Sequence, residues 1–472
     1  MNLMWFRSDL RSRDNPALFN ACKQGPVMAV YFVCMQQWQQ HGHGANKMVY
    51  LRESLSALQK NLAVLNIPLL VIDAGSFKKI PALLSDICQQ HAIEQVFFNH
   101  EYELNESRRD QQVLKRLTQL GINSHAFHDQ CLIAPGENLT QQGKYFSVFT
   151  PFKRAWIQKM AAQYQAPLSA PKKQAVLDLT CPAWPAKFMQ LQASADLSDV
   201  KSGERALHQQ LDDFIAQKIT GYQAERDFPA LNGTSHLSAA LAAGVLSLRQ
   251  CMHAALLENN GEFQSGRPGP DTWISELIWR EFYKHIVQGF PHINRYQAFK
   301  TETDQIRWLD NPAHLKAWQE GKTGYPIVDA AMRQLLHTGW MHNRLRMVSA
   351  MFFTKNLLLD WRQGEMFFMQ HLVDGDFSAN NGGWQWSAST GVDAAPYFRM
   401  FNPTAQSEKF DPNGDFIRTW VPELRALNNK EIHNPGSAQR KTCAYPQPIV
   451  DYAASRARVL ATFKALYGEQ HD

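Results

Sequence analysis

Four short apolar runs recur within the first 130 residues: Leu3–Phe6, Pro26–Val33, Ile67–Asp73 and Ile93–Asn99. Runs of this length, bounded by polar or proline-containing turns, read as buried strands. The segments between them, such as Asn46 to Leu65 and Ile80 to His91, have the length of helices. Strand–helix–strand spacing allows crossovers between parallel strands, so residues 1–130 are expected to form an α/β domain with a parallel sheet. From Ala134 to about Val200 the pattern dissolves into Pro, Ala, Gln and Lys, as in a connection wrapped on a surface, and residues 131–203 are assigned as an interdomain linker. After Glu204 nearly every segment has a helical period, which makes residues 204–472 an all-helical domain. Two domains also suit the length, because 472 residues exceed the roughly 250 to 300 at which single cores stop growing.

Several classes are excluded early. Hydrophobic residues at 44% against charged residues at 19% argue against disorder. No run of about 18 apolar residues occurs, and MNLMWFRSDLRSRDN puts charges where a signal peptide needs an apolar core. Seven cysteines with no C-x-x-C pair fit neither a disulfide framework nor a structural zinc site. A cytoplasmic protein with no membrane partner and no metal is expected. The net charge of +5 lies in residues 1–200, which hold 20 basic and 15 acidic residues, whereas residues 201–472 hold 28 of each. Local clustering still marks Lys322 to Arg362, where Lys322, Arg333, Arg344, Arg346, Lys355 and Arg362 face only Asp329 and Asp360. A solvated helix face and an anion-binding surface both fit that pattern.

Eight of thirteen tryptophans fall between Asp271 and Thr390: Trp273, Trp279, Trp308, Trp318, Trp340, Trp361, Trp384 and Trp386. Packing alone rarely selects so many, because a buried indole N–H needs a partner. In TWISELIWREFYKHI, taken as a helix opened by Asp271 or Thr272, Glu276, Trp279, Arg280 and Tyr283 share one face. That face can stack a heterocycle, hydrogen-bond it and hold a phosphate, although a plain i, i+4 Glu–Arg pair explains it too. A second helix pair is expected in GYPIVDAAMRQLLHTGWMHNRLRMVSAMFF, with Pro326 in the first turn, Gly339 closing the first helix and Trp340 starting the next. Asn343 and Met347, at i and i+4, put an amide and a thioether on one face between arginines. In VDGDFSANNGGWQWSAS, Asp374 and Asp376 precede Asn380, Asn381, Gly382 and Gly383, a composition that predicts a loop rather than a helix interior. Thr234, Ser235 and Ser238 open a predicted helix whose free N–H groups can hold a pyrophosphate, as can any ordinary Ser/Thr cap.

WFRSDLRSRDNPAL, GYQAERDFPALNGTSHLSAAL, WISELIWREFYKHI, WQEGKTGYPIVDAAMRQLLHTGWMHNRLRM and DGDFSANNGGWQWSASTGVDAAPYFRMFNP, in that order across essentially the whole chain, resemble the class I cyclobutane pyrimidine dimer photolyases of the photolyase/cryptochrome family. The resemblance implies a Rossmann-like N-terminal antenna domain and a C-terminal helical domain binding FAD. It carries the flavin site onto Tyr222, Thr234, Ser235, Leu237, Ser238, Trp273, Glu276, Arg280, Asn343, Arg346, Asp374, Asp376 and Asn380. It also implies that Asp374 pairs with Arg346 and that Asn380 lies at the flavin N5 edge.

The same resemblance implies a catalytic pocket of Glu276, Asn343, Met347 and Trp386. DNA contacts fall on Arg226, Glu276, Trp279, Asn343, Arg344, Met347, Trp386 and Arg399, and an electron-transfer chain on Trp308, Trp361 and Trp384. For Trp318 and Trp340 helix packing explains the ring as well as any redox role, and Trp308 is expected to lie in an exposed polar segment. The partner implied is UV-damaged DNA carrying cyclobutane dimers, single- or double-stranded, and the protein is expected to act as a monomer. Asn343 and Met347 stand where (6-4) photolyases carry His. Glu276 is expected to stay protonated through burial beside Trp279 and an anionic flavin, and to donate to a pyrimidine carbonyl. The antenna is expected to be 5,10-methenyltetrahydrofolate at Asn105 and Glu106. In the facing loop Asn294 and Arg295 replace the Cys-Lys of folate-binding relatives, with Arg295 keeping the charge. The alternative is a cryptochrome-type blue-light sensor. Against it stand Asn380 where plant cryptochromes carry an aspartate, the dimer-shaped pocket, and a chain that stops at Asp472 soon after its last helix.

Overall fold

The computed structural model describes residues 1–467. Five parallel strands, β1 (Asn2–Phe6), β2 (Val27–Val33), β3 (Leu69–Asp73), β4 (Gln95–Asn99) and β5 (Asn123–Phe127), form one sheet in the order β3-β2-β1-β4-β5. The first four are the strands expected from the apolar runs, and all residues of β1 and β2 are buried. The fifth, NSHAF, was not expected. It is an edge strand whose residues are half-buried or exposed, so no continuous apolar run announces it. Helices α1 (Pro16–Gln24), α2 (Ala45–Val64), α3 (Ile80–Gln90) and α4 (Leu104–Gln119) alternate with the strands. Strand order reverses direction between β1 and β4, which leaves a crevice at their carboxyl ends.

The segment read as structureless contains a four-turn helix, α5 (Phe149–Gln163). Phe149, Phe152, Trp156 and Met160 are its buried residues, an i, i+3, i+7, i+11 stripe that the surrounding polar residues obscured. This helix rests on α6 (Pro268–Gly289). The helix expected to open at Asp271 or Thr272 begins earlier because Pro268 is suited to the first helical position. Asp271 instead sits in the first turn and accepts from the N–H groups of Ser265 (3.0 Å) and Gly266 (2.9 Å). On the inner face of α6, Glu281 is fully buried. It accepts from the N–H groups of Leu132 (2.8 Å) and Ile133 (2.9 Å) and from Trp156 Nε1 (2.7 Å), so one carboxylate holds the chain after β5 and α5 against α6.

The pair α7 (Pro326–Thr338) and α8 (Asn343–Met351) forms as expected, with Gly339 in the left-handed region at φ 67°. Trp340 does not start α8; the His342 side chain caps it by accepting from the Arg344 N–H. After a π-helical turn, Phe352–Asn356, comes α9 (Trp361–His371). The Asn-Asn-Gly-Gly stretch, expected to be a loop, lies inside α10 (Phe377–Ala388). Asp376 caps this helix by accepting from the Ala379 N–H at 3.0 Å. Gly382 is there for close approach, since a Cβ at that position would lie 2.2 Å from the Tyr283 ring of α6. The chain closes with α11 (Tyr452–Tyr467). No helix among the described residues is long and apolar enough to cross a membrane, and all seven cysteines are free.

The two adjacent glycines of α10 make a clean comparison. A Cβ on Gly383 meets nothing within 4 Å, so Gly383→Ala should stabilise by about 0.5–1 kcal/mol through helix propensity. Gly382→Ala should cost about 1–3 kcal/mol, because the Tyr283 ring must shift. Urea unfolding of the two variants checks the opposite signs.

Candidate active site

Ion pairs link α6 to its neighbours in a closed ring. Arg226 follows the short helix Tyr222–Glu225, lies over the Tyr222 ring at 5.3 Å, and donates to Glu276 on α6 at 2.5 Å. Asp227 lies 4.0 Å from the Arg226 Nε and accepts from Arg344 Nη2 of α8 at 2.6 Å. Two residues along α8, Arg346 donates to Asp374 at 2.7 Å, the pairing the resemblance implied. Two residues on, Asp376 meets Lys284 of α6 at 2.8 Å, which closes the ring. Burial opposes ionisation of Asp376, yet the Lys284 and Arg280 charges hold its carboxyl well below the usual range.

Polar atoms without protein partners occur among the expected flavin residues. Thr234 Oγ1 and Asp374 Oδ1 are buried and make no hydrogen bond among the described residues. Buried polar atoms are mostly paired with protein, water or a ligand, so a hydroxyl and a carboxylate oxygen left open here fit a polar cofactor. Leu237 is buried ahead of the short helix Ser238–Ala243; Ser238 is exposed and Ser235 half-buried. Trp273 is buried against Phe214, with ring centroids 4.9 Å apart, and Phe214 also meets Tyr222 at 5.8 Å. Arg280 donates to the carbonyls of Gln130 (2.8 Å) and Leu241 (3.2 Å), so part of its fork is committed to the scaffold. Asn380 donates its amide to the Glu365 carbonyl (3.0 Å) and carboxylate (3.2 Å), and burial pushes Glu365 up to about 7.

Three expectations for the outer rim need correction. Glu276 is not enclosed by apolar surface: its side chain keeps 34% of its exposure and is ion-paired to Arg226. Trp279 offers one face only, because Phe149 stacks on the other at 3.6 Å and 9°. The basic stretch from Lys322 to Arg362 is not a free cationic surface. Arg333 pairs with Glu423, Arg344 with Asp227, Arg346 with Asp374, Arg362 with Asp304 and Asp360, and Lys322 with Glu320. Lys355 is buried and donates to Ser389. Sequence distance hid these acids, four of which lie in segments outside the stretch and its flanks. Asn343 is exposed at the head of α8, Met347 and Trp386 are half-buried, and Arg399 is exposed beside Phe398.

Among the tryptophans, Trp361 and Trp384 are buried where α9 meets α10, and Gly364 lies directly under the Trp384 ring. Trp308 is half-buried, in a segment whose other polar residues are mostly exposed, and packs against the same apolar cluster as Trp361. Trp318, which packing explains as well as a redox role, meets Trp384 edge-on at 6.0 Å.

A cleft of about 260 Å³ opens at the sheet crevice, lined among others by Ser8, Glu101, Asn105, Glu106, Lys284 and Asp376. Asn105 Nδ2 lies 2.9 Å from His41 Nε2, and His41 Nδ1 lies 3.5 Å from Glu106. Burial and the Glu103 and Glu101 charges push Glu106 up to about 8. Asn294 lines this cleft with its carbonyl held by the Leu104 N–H, and the neighbour that joins it there is Tyr296 rather than the expected Arg295.

Comparison with known proteins places this architecture. Residues 2–172 match the family described as DNA photolyase, and residues 273–465 match the FAD binding domain of DNA photolyase. The Deoxyribodipyrimidine photo-lyase of Salmonella typhimurium (strain LT2) is 44% identical over 98% of both chains. A bacterial class III photolyase from Agrobacterium tumefaciens superposes with a TM-score of 0.90 at 35% identity, covering 99% of this chain and 97% of that one. A Synechocystis cryptochrome superposes at 0.86 and 28% identity, covering 98% and 99%. This chain belongs to the DNA photolyase family.

Proposed function

We propose that the ion-pair ring encloses the flavin and lesion sites of a light-driven DNA repair lyase that splits cyclobutane pyrimidine dimers. The observation that carries the site assignment is the pair of unpartnered buried atoms, Thr234 Oγ1 and Asp374 Oδ1, the second on a residue of that ring. The chain carries the FAD-binding domain of its family, and FAD is its cofactor. When bound, FAD in its reduced form supplies, on absorbing light, the electron that opens the cyclobutane ring. Tyr222, Thr234, Ser235, Leu237, Ser238, Trp273, Glu276, Arg280, Asn343, Arg346, Asp374, Asp376 and Asn380 would hold it. Repair is favoured over light sensing because a 44% identical relative over 98% of the chain is a Deoxyribodipyrimidine photo-lyase, and because Asn380, anchored on Glu365, stands where plant cryptochromes carry an aspartate. The division into residues 1–130, 131–203 and 204–472, a cytoplasmic location and action as a monomer complete the reading.

The work of the protein's own groups is to accept a flipped dimer and orient it. Flipping costs a few kcal/mol, less for a lesion that already stacks poorly. The open face of Trp279 and the ring of Trp386 offset this at about 1–3 kcal/mol each. Asn343 can both donate to and accept from a pyrimidine edge, and Met347 supplies apolar contact one turn along. Glu276 reaches the dimer only after leaving Arg226; a carboxyl that carries a proton there would donate it to the pyrimidine carbonyl on which charge develops. Incubating the purified protein with dimer-containing DNA should remove dimers in light and not in darkness; equal loss in both would refute the reading. Glu276→Ala should lower repair per absorbed photon more than it lowers dimer affinity, and unchanged yield would remove Glu276 from that role.

Trp384, Trp361 and Trp308 would carry electrons from an external reductant inward by hopping. Trp308→Phe and Trp384→Phe should each slow photoreduction of the flavin about tenfold or more, whereas Trp318→Phe should not. Transient absorption after a laser flash measures the rates, and wild-type rates in the first two variants would assign these rings to packing.

The cleft would hold 5,10-methenyltetrahydrofolate as antenna, with Asn105 and Glu106 as its main polar contacts. A pterin edge presents N–H groups that pair with a carboxylate. Because Glu106 titrates near 8, it is neutral below that pH and binding must expel a proton. Folate affinity should therefore rise about fivefold between pH 7 and pH 8 and about twofold more before levelling off near pH 9, and Glu106→Gln should flatten the profile. Equilibrium titration followed by folate absorbance reads both, and finding only a deazaflavin in extracts of the purified protein would overturn the folate assignment.

A further inference from the structure

The rim of the lesion site carries two arginines and two carboxylates, and each arginine is already engaged. Arg226 is 2.5 Å from Glu276 and 4.0 Å from Asp227, while Arg344 is 2.6 Å from Asp227. All four side chains are half-buried, at 17% to 34% exposure, so the pairs are screened less than those of an open surface. Arg344 is further held over the Phe410 ring at 4.4 Å, and Phe410 in turn packs near Phe228, the residue after Asp227. The other cation facing this ring is Lys409, at 5.1 Å from its centroid.

We propose that Asp227 is a specificity-determining residue that keeps the DNA-binding arginines self-neutralised until a lesion enters. The inference rests on the reading of this rim as the dimer site. Undamaged DNA brings phosphates but nothing that enters the cavity. To grip it, Arg226 and Arg344 must leave carboxylates that then stand unpaired next to phosphate, an unfavourable exchange. A flipped dimer changes the balance at one end, because its pyrimidine N–H groups can meet Glu276 and release Arg226 toward the backbone. Asp227 touches no part of the lesion. Its charge opposes phosphate binding in both complexes, but in the lesion complex Arg226 has already been freed and Asp227 serves to aim it. Removing the charge should thus help undamaged DNA most.

The test compares one duplex with and without a single cyclobutane dimer, binding to the FAD-loaded full chain in the dark across a salt series. Asp227→Asn should bind the undamaged duplex roughly fivefold tighter and steepen its log affinity against log salt by about 0.7–1. Affinity for the damaged duplex should change less than twofold, so the ratio between them falls. Asp227→Glu, which keeps the charge, should restore wild-type discrimination, which loss of mere packing would not predict. Asp227→Ser provides a second charge-free variant should the first fail to load flavin. An unchanged ratio and slope in the charge-free variants, or equal shifts on both duplexes, would overturn the inference while leaving the lesion site in place. A wild-type protein with no preference for the damaged duplex would instead overturn the reading of the rim itself.

Discussion

A charge removed from water must be met by an opposite charge or by several hydrogen-bonding groups, and α6 takes charges out of water along both of its faces. Glu281 collects three N–H donors from the chain after β5 and from α5. Lys284 meets Glu103 from the sheet domain and Asp376 from the start of α10, each at 2.8 Å. Glu276 reaches Arg226. These partners come from segments up to 181 residues away in sequence. Satisfying them pins the α/β layer, the connecting helix and the helical layer to one helix, and the apolar core runs without a break from the sheet to α6.

The same requirement joins the two candidate ligand sites. Lys284 and Asp376 belong to the ion-pair ring and also line the cleft, so one wall serves both. That wall is made of charged groups whose positions are held by mutual attraction, and it fixes the spacing of the two candidate sites. Glu106 and Glu365 show the opposite arrangement. Burial without a full complement of cations pushes both up toward neutral pH, into the range where a protonated carboxyl can act as a donor.

Glycine-rich and asparagine-rich sequence predicts a loop by local preference, yet Asn380 to Gly383 are helical, because Asp376 caps the helix and Tyr283 fills the space that a Cβ at Gly382 would need. The partner ring lies about a hundred residues away and carries no local signal. In α5 the buried stripe at Phe149, Phe152, Trp156 and Met160 was legible by its spacing, but was masked by the irregular residues that follow it. The basic stretch failed for a different reason. Its arginines are real, but the carboxylates that meet them, Asp227, Asp374, Asp304 and Glu423, come from outside the stretch. Trp384 likewise has a neighbour in Trp318 that no spacing could reveal.

Local pattern by itself determined the central strands, the parallel sheet, most helices and the motifs that mark the family, because each depends on residues within one turn or one strand of each other. The Arg346–Asp374 pair was also available in advance, through the resemblance. Only the tertiary structure decided which charges neutralise which, which face of Trp279 is open, and that Glu276 starts out bound to Arg226. Those outcomes depend on distances between segments far apart in the chain, and electrostatic and packing energies are set by distance and burial rather than by order in the sequence.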